Sequence, residues 1–403
     1  MHRVLILSTD AGYAHTSCVR GLREIAADIP DLQVDCLEVF RDIAPEDDFF
    51  KKLSGINGVD IYNDLVLGRS WSTLFWPVFA LAIMLHIICK SRVAAAKLAS
   101  VLDAYDPDVV ISVAPFVNAA IAKGIRQHSR KVPFLTVMVD SDEVFPRTWM
   151  QDRDQIILVS TERGYARLTR NWPNSKVLRM QGLPISRDFS IAKESHTKST
   201  AQKLLGLKPD RPVLIMSFGG RGTNRICEYA SAIDEKLLGI QSIYLCGTNK
   251  HIIDTLKTQK RAAISEGMCH VFGLRQDVPV LLRASDIFVG KPGPFSVYEC
   301  MEMGVPMLLE LNRKTMLQER YNAKMVQEYG YGTIFRSASQ LRKLLQEFTA
   351  GRMTFKQANT SSSSARNQIG NLLTWALDES GFSRSVEKPE RSVGSLQPDG
   401  DLG

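Results

Sequence analysis

The sequence lacks the cysteine patterns that mark disulfide-rich or metal-binding domains. Its seven cysteines are scattered, odd in number and contain no Cys-x-x-Cys pair. Cysteines of this kind, in mostly apolar surroundings, are typical of reduced core thiols, which predicts a cytoplasmic protein. We expect no signal peptide, because the apolar run after Met1 ends before Asp10 and suits a first β-strand better.

Two classes of ligand also lack their usual sequence patterns. No basic run interleaved with aromatic residues occurs, so we expect no nucleic-acid partner, although the net charge is +7. That charge instead favours an anionic membrane surface or a phosphorylated substrate. No Gly-x-Gly-x-x-Gly follows the first predicted strand, which argues against a dinucleotide dehydrogenase.

What the chain does contain is an alternation of apolar strand-like segments and helical segments, which predicts an α/β fold. At 403 residues it is long enough for two domains with full cores. The alternation predicts two Rossmann-like doubly wound domains that face each other across a cleft. The predicted parts are a first domain at 1–185, a linker with one short helix at 186–211, a second domain at 212–350, a helical segment at 351–379 and a disordered tail at 380–403.

One apolar segment stands out because residues 70–89 contain no Asp, Glu, Lys or Arg. Its length would permit a membrane span, but Pro77 and His86 lie inside it and it would split the first domain. The alternatives are a buried helix or an interfacial element that touches the bilayer. We favour the interfacial element, since Trp71 and Trp76 suit a membrane interface.

The most informative stretch of the chain is Asp286 to Asn322. A short apolar strand there ends in a Gly/Pro turn, and the turn opens a helix that carries Glu299. A strand, a glycine turn and a helix N-terminus together form an anion site, because free backbone N–H groups and the helix dipole point at one place. From its position in the helix, the Glu299 carboxylate would reach the hydroxyls of a ribose whose phosphates bind the N-terminus.

This stretch resembles the donor motif of glycosyltransferase family 28. The family includes monogalactosyldiacylglycerol synthases, processive diacylglycerol glucosyltransferases and the enzyme that adds N-acetylglucosamine to lipid I. Its motif is similar to Lys-x-Gly-Gly/Pro-x-Ser/Thr-x-x-Glu, followed by a Gly-x-Pro strand and a helix with Gln and Asn. The matching segments here are Lys291 to Glu299, Gly304-Val305-Pro306, Gln318-Glu319 and Asn322.

Four further segments match the family in the same order, so the resemblance covers most of the chain. They are the first strand with the loop ending at His15, the Asp140 segment with Trp149, Gly182-Leu183-Pro184, and the glycine-rich loop Ser217 to Gly222. The resemblance implies a GT-B enzyme that moves a hexose from a UDP-sugar to a membrane lipid, with inversion and without a metal or other cofactor. A diacylglycerol-like acceptor and peripheral attachment to the membrane are expected.

The resemblance also assigns roles to individual residues. The catalytic base is either His15 or Asp140, and the Asp-x-Asp pattern at Asp140 is interpreted as acceptor-side chemistry rather than as a metal site. Acceptor binding is expected from Gly12, Tyr13 and Trp149. The expected donor-binding residues, with Phe272 and Gly273 next to the uracil, are Gly219, Gly220, Arg221, Phe272, Gly273, Lys291, Gly293, Pro294, Phe295, Ser296, Glu299, Gln318, Glu319 and Asn322.

Two departures from the family pattern keep other functions open. The first loop has only Gly12 where the family often has three glycines, and Phe145 stands where a histidine is expected, with Arg147 inserted. One rival is an epimerase or hydrolase on the same fold that acts on a UDP-sugar alone. The other is a non-catalytic protein that binds a UDP-sugar.

Overall fold

Two parallel sheets of six strands each form the framework of the structure, a computed structural model that describes residues 2–10, 12–43, 95–128, 131–140, 146–358 and 362–378. The first domain contains β1 (His2–Ser8), α1 (Tyr13–Ala26), β2 (Leu32–Glu38), a π-helical turn (Val39–Ile43), α2 (95–105), β3 (Val109–Ser112), α3 (Asn118–Gln127), β4 (Phe134–Met138), α4 (Pro146–Trp149), β5 (Gln155–Val159), α5 (Glu162–Asn171) and β6 (Lys176–Arg179).

The second domain repeats this alternation. After α6 (Asp188–Ser195) and α7 (Lys198–Leu204), it contains β7 (Val213–Ser217), α8 (Arg225–Ala230), α9 (Glu235–Leu238), β8 (Gln241–Leu245), α10 (Lys250–Gln259), α11 (Arg261–Ser265), β9 (Cys269–Phe272), α12 (Val278–Arg283), β10 (Ile287–Gly290), α13 (Pro294–Met303), β11 (Met307–Glu310), a 3-10 turn (Leu317–Glu319), α14 (Arg320–Glu328), β12 (Gly332–Phe335) and α15 (Ala338–Thr349); α16 (Ser362–Leu377) ends the described chain.

The order of the strands fixes where loops meet. In the first sheet the order is β2-β1-β3-β4-β5-β6. The next strand in the chain, β2, pairs with one edge of β1, and β3 then pairs with the opposite edge of β1. In the second sheet the order is β12-β11-β10-β7-β8-β9, with the same reversal between β7 and β10. Ligands of such sheets bind in the crevice at the carboxyl ends of the strands where the order reverses. The loops after β1 and β3, and those after β7 and β10, are therefore the places to look for a site.

The central strands are apolar throughout because helices cover both faces of each sheet. Every residue of β4 and β10 is buried, whereas the edge strand β2 is mostly half-exposed. The predicted α/β class, with two doubly wound parallel sheets, is confirmed.

The segment between the domains differs from the prediction of one short helix, because it contains two, α6 and α7. The break falls at Thr197, whose hydroxyl accepts a hydrogen bond from the N–H of Thr200 and so caps a new helix.

The last helix returns to the first domain. Its apolar face buries Ala365, Ile369 and Leu373, and Gly370 lies against Ile25 of α1. The guanidinium of Arg366 pairs with Glu24 at 3.3 Å and with Asp28 at 3.4 Å. The helix predicted inside residues 351–379 thus lies at 362–377 and packs on α1.

Several predictions fall on residues that the structure does not describe. These are the interfacial segment at 70–89, the tail at 380–403 and the departure at Phe145. Among the residues that are described, no helix has the length and apolar character needed to cross a bilayer.

Candidate functional site

A histidine links the two loops at the crevice of the first sheet. His15 lies in the first turn of α1, and its Nδ1 is 2.6 Å from the carbonyl oxygen of Val113, just after β3. A carbonyl only accepts, so Nδ1 carries the proton and donates it, which leaves the lone pair on Nε2. Burial lowers the pKa of His15 to about 4, with the bond to Val113 partly opposing the shift. The imidazole is therefore neutral at pH 7, with its basic nitrogen lacking a partner within the described ranges.

A tryptophan joins this histidine to the other candidate base. The ring of Trp149 stacks on His15 with centroids 6.1 Å apart and planes 23° apart. Its indole Nε1 donates to Oδ2 of Asp140 at 3.1 Å. The structure thus brings together His15, Trp149 and Asp140, which are far apart in the sequence. Trp149 is only 1% exposed and contacts both polar groups, and its expected contact with an acceptor stays a prediction.

The glycine-rich loop after β7 is shaped by positions that exclude side chains. Gly219 and Gly222 have φ angles of 95° and 70°, which favour glycine. A Cβ at Gly222 would lie 2.1 Å from the carbonyl oxygen of Cys246. In the described parts of the chain, the N–H groups of Gly220 and Arg221 have no acceptor, and the exposed guanidinium of Arg221 has no partner. The loop therefore presents free donors, as an anion site requires.

The turn after β10 supplies a second set of donors. Gly293 is the N-cap of α13 and Pro294 occupies its first position. Proline has no N–H, and this costs nothing there because the first N–H groups of a helix have no acceptor within the helix. The N–H groups of Phe295 and Ser296 find no acceptor among the described residues. Because β7 and β10 are neighbours, the side chain of Lys291, just after β10, reaches the glycine-rich loop after β7. Its Cε would lie 3.1 Å from a Cβ added at Gly219.

Glu299 lies one turn further along the same helix. It is half-buried and has neither a hydrogen bond nor an ion pair within the described chain. Burial raises the pKa of its carboxyl to about 7, and the positive charge of Arg20 partly opposes this shift. A carboxylate that is held beside an anion site without a protein partner is available to a ligand.

Two oxygen atoms near the turn lack the donors that buried oxygens normally have. Glu319 pairs with Lys291 through Oε1 at 2.6 Å, but its buried Oε2 has no partner in the described ranges. Asn322 is fully buried and donates from Nδ2 to the carbonyl oxygen of Pro292 at 2.8 Å, leaving Oδ1 without a donor there. Both free oxygens are acceptors, which suits a ligand rich in hydroxyl groups. Gln318 lies half-buried at the start of this segment.

The residues expected next to the uracil lie at the carboxyl end of β9. The ring of Phe272 is half-exposed, and the guanidinium carbon of Arg275 lies 4.8 Å from the centre of that ring. Arg275 in turn pairs with Asp277. Phe272 and Gly273 therefore lie at the same edge of the sheet as the two donor turns.

Sequence reasoning missed a buried charged cluster under the second crevice. Glu310, at the end of β11 and fully buried, pairs with Arg225 and accepts a hydrogen bond from the hydroxyl of Tyr229 at 2.5 Å. The guanidinium of Arg225 also lies over the ring of Phe218, 5.4 Å from its centre. An acid at the end of an apolar strand is the signal that would have found this cluster. In the described parts of the chain, no group of three or more His, Cys, Asp or Glu could hold a metal ion.

Comparison with known families decides what the second domain is. The model of the glycosyltransferase family 28 C-terminal domain matches residues 214–372. The second domain belongs to glycosyltransferase family 28. The family predicted from Lys291 to Asn322 is confirmed, and the match extends into α16, which packs on the first domain.

Two relatives extend the likeness to the first domain. The chain is 24% identical over 359 residues to the spinach chloroplastic monogalactosyldiacylglycerol synthase, covering 86% of this chain and 66% of the relative. It is 22% identical to the Bacillus subtilis processive diacylglycerol beta-glucosyltransferase, covering 81% of this chain and 82% of the relative. The chain spans less than two thirds of the length of several plant relatives, and 52% in one rice protein.

Solved structures agree on the fold. MurG from Acinetobacter baumannii has a TM-score of 0.55 at 11% identity and covers 93% of this chain and all of its own. The Staphylococcus aureus MnaA–UDP structure has a TM-score of 0.62 at 12% identity and covers 96% of this chain and 99% of its own. These likenesses confirm the GT-B fold, with two Rossmann-like domains.

Proposed function

We propose that this protein transfers a hexose from a UDP-sugar to a membrane lipid with inversion of configuration. One observation carries the proposal: the crevice of the second sheet gathers Lys291 with N–H groups and a Glu299 carboxyl that have no partner among the described residues. Free N–H groups and a cation suit a diphosphate, and a carboxylate next to them suits the two hydroxyls of a ribose. A uridine diphosphate is favoured because structurally similar proteins have been solved with UDP bound.

The sugar would bind beyond the diphosphate, next to the free oxygens of Glu319 and Asn322. Because both oxygens are buried, a small movement of either side chain would be needed for it to accept a hydrogen bond from a sugar hydroxyl, which would satisfy a group without a partner in the described residues.

The first domain would supply the base. In an inverting transfer, the base takes the proton of the acceptor hydroxyl while the acceptor oxygen attacks the anomeric carbon. The bond between that carbon and the diphosphate breaks in the same displacement, and UDP leaves with the electron pair. The N-terminus of α13, Arg221 and Lys291 would stabilise the charge that develops on the phosphate, so that no metal is needed for this task.

The lipid acceptor and the membrane contact rest on other grounds. The relatives from spinach and Bacillus subtilis are named for synthesis on diacylglycerol. The net charge of +7 would favour an anionic membrane surface, and we propose a diacylglycerol-like acceptor and peripheral attachment.

Glu299→Ala is expected to lower kcat/KM for the UDP-sugar by roughly 10- to 100-fold, since charge-assisted hydrogen bonds to the ribose would be lost. The measurement is release of UDP from a panel of UDP-sugars, with and without mixed lipid vesicles. Glu328→Ala, which removes an exposed acid from α14, is the matched control and should behave as the wild type.

The same assay separates the rival functions. Release that depends on lipid and on Glu299 supports the transferase. Turnover that does not depend on lipid supports an epimerase or hydrolase. UDP binding without turnover supports a non-catalytic protein.

Binding of UDP is expected to weaken as the pH falls below about 7, because the carboxyl of Glu299 has its pKa raised to about 7 and must be ionised to accept two hydroxyl hydrogens. Well below that pH, the affinity for UDP should fall by about tenfold per pH unit, because one proton must leave Glu299 for each UDP that binds. The Kd of UDP is measured by titration calorimetry at several pH values between about 5.5 and 8, a range that brackets the pKa of Glu299. Glu299→Gln is the baseline, since ionisation of the ligand itself affects both proteins equally; parallel pH profiles would contradict the prediction.

A further inference from the structure

Tyr13 of the first domain touches the glycine-rich loop of the second. A Cβ added at Gly220 would lie 2.8 Å from three carbons of the Tyr13 ring, Cδ1, Cδ2 and Cε1. Equal distances to atoms on both sides of the ring indicate that Gly220 lies over the ring face. Any side chain at position 220 would collide with this ring, so the contact requires glycine there.

The loop has almost no side chains of its own with which to enclose a ligand. Gly219, Gly220 and Gly222 make up most of it, and the neighbouring Gly247 is held so close that a Cβ would lie 2.0 Å from the carbonyl oxygen of Gly220. Lys291 covers the loop on the side of Gly219. The face at Gly220 is covered by Tyr13, which the other domain supplies.

The hydroxyl of Tyr13 is available to a ligand. The side chain is 37% exposed, and its hydroxyl has no hydrogen bond within the described ranges. Because the side chain is exposed, a ligand can reach this hydroxyl. The Tyr13 ring covers Gly220, and the N–H groups of Gly220 and Arg221 have no acceptor in the described parts of the chain, so an anion bound to these donors would lie next to Tyr13.

We propose that Tyr13 completes the nucleotide site across the cleft, with its ring closing over Gly220 and its hydroxyl donating a hydrogen bond to a phosphoryl oxygen of a bound nucleoside diphosphate. This inference rests on the proposed function. It places Tyr13 on the donor side of the reaction, in contrast to the acceptor role expected from the sequence. Because Tyr13 and Gly220 belong to different domains, a bound diphosphate would also hold the two domains together.

The test compares the binding of UDP and of uridine to the full chain. Tyr13→Phe keeps the ring and removes the hydroxyl, so the Kd of UDP should rise about tenfold or more, as expected for one hydrogen bond to a charged group. The Kd of uridine, which has no phosphate, should not change. Tyr13→Gly should weaken UDP binding at least as much, and Tyr329→Phe, another exposed tyrosine, is the matched control.

The outcomes separate this inference from the function on which it rests. If the wild type binds UDP and Tyr13→Phe binds it equally well, the inference fails and the proposed function stands. A rise in the KM for the lipid acceptor in that variant would instead assign Tyr13 to the acceptor side. Equal weakening of UDP and uridine also overturns it, because the hydroxyl would then act on the nucleoside. If the wild type binds no UDP, the proposed function and the inference both fail.

Discussion

Changing His15 to alanine is expected to lower kcat by roughly 10²- to 10⁴-fold, the usual loss when a general base is removed. His15 donates from Nδ1 to Val113, so its neutral ring offers Nε2 to a proton. Its low pKa keeps it in that form throughout the neutral range. Because the change lies outside the nucleotide crevice, the Kd of UDP should stay that of the wild type. Steady-state kinetics and UDP titration together provide the measurement.

Asp140→Asn is the matched comparison for the identity of the base. The amide oxygen of asparagine still accepts the hydrogen bond from Trp149, so this change removes the charge and basicity and keeps the contact. If Asp140 acts only by fixing Trp149 against His15, the loss in kcat should be much smaller than for His15→Ala. A larger loss in Asp140→Asn than in His15→Ala would identify Asp140 as the base.

Arg225→Met is expected to destabilise the second domain by about 3–5 kcal/mol, because it leaves the carboxylate of Glu310 buried without its cation. Glu310 has no exposed surface, and the hydrogen bonds from Tyr229 and Asn312 compensate only part of the charge. The midpoint of urea unfolding, followed by near-ultraviolet circular dichroism, measures the effect.

Two further variants make this test specific. Lys236→Met removes an exposed cation that lies 3.9 Å from Glu266, and should change stability by less than about 1 kcal/mol. Adding Glu310→Gln to Arg225→Met should recover part of the loss, since the uncompensated charge is gone. A shift for Arg225→Met no larger than that for Lys236→Met would refute the account.

The sequence predicts best those features whose chemistry is local. The apolar run of β10, the proline at the first position of α13 and Glu299 one turn later lie within a few residues of each other, and their spacing alone places them in one site. The extra helix at Thr197 was missed because its cap lies in a polar stretch that reads uniformly as linker.

Contacts between distant parts of the chain could not be predicted. Nothing near Glu310 in the sequence shows that Arg225 lies against it. The family resemblance assigned Trp149 to acceptor binding, and only the structure shows its packing on His15 and its hydrogen bond to Asp140. The same holds for Tyr13, whose neighbour Gly220 belongs to the other domain.

The packing of α16 on α1 has a consequence for the order of events during synthesis. The ribosome delivers α1 long before α16, yet Ile25 of α1 packs against α16 in the folded structure. The first domain therefore cannot complete its core while the second is still being translated. Until α16 arrives, the part of α1 around Ile25 lacks this cover, so some apolar surface of the first domain stays exposed during synthesis, and exposed apolar surface favours aggregation.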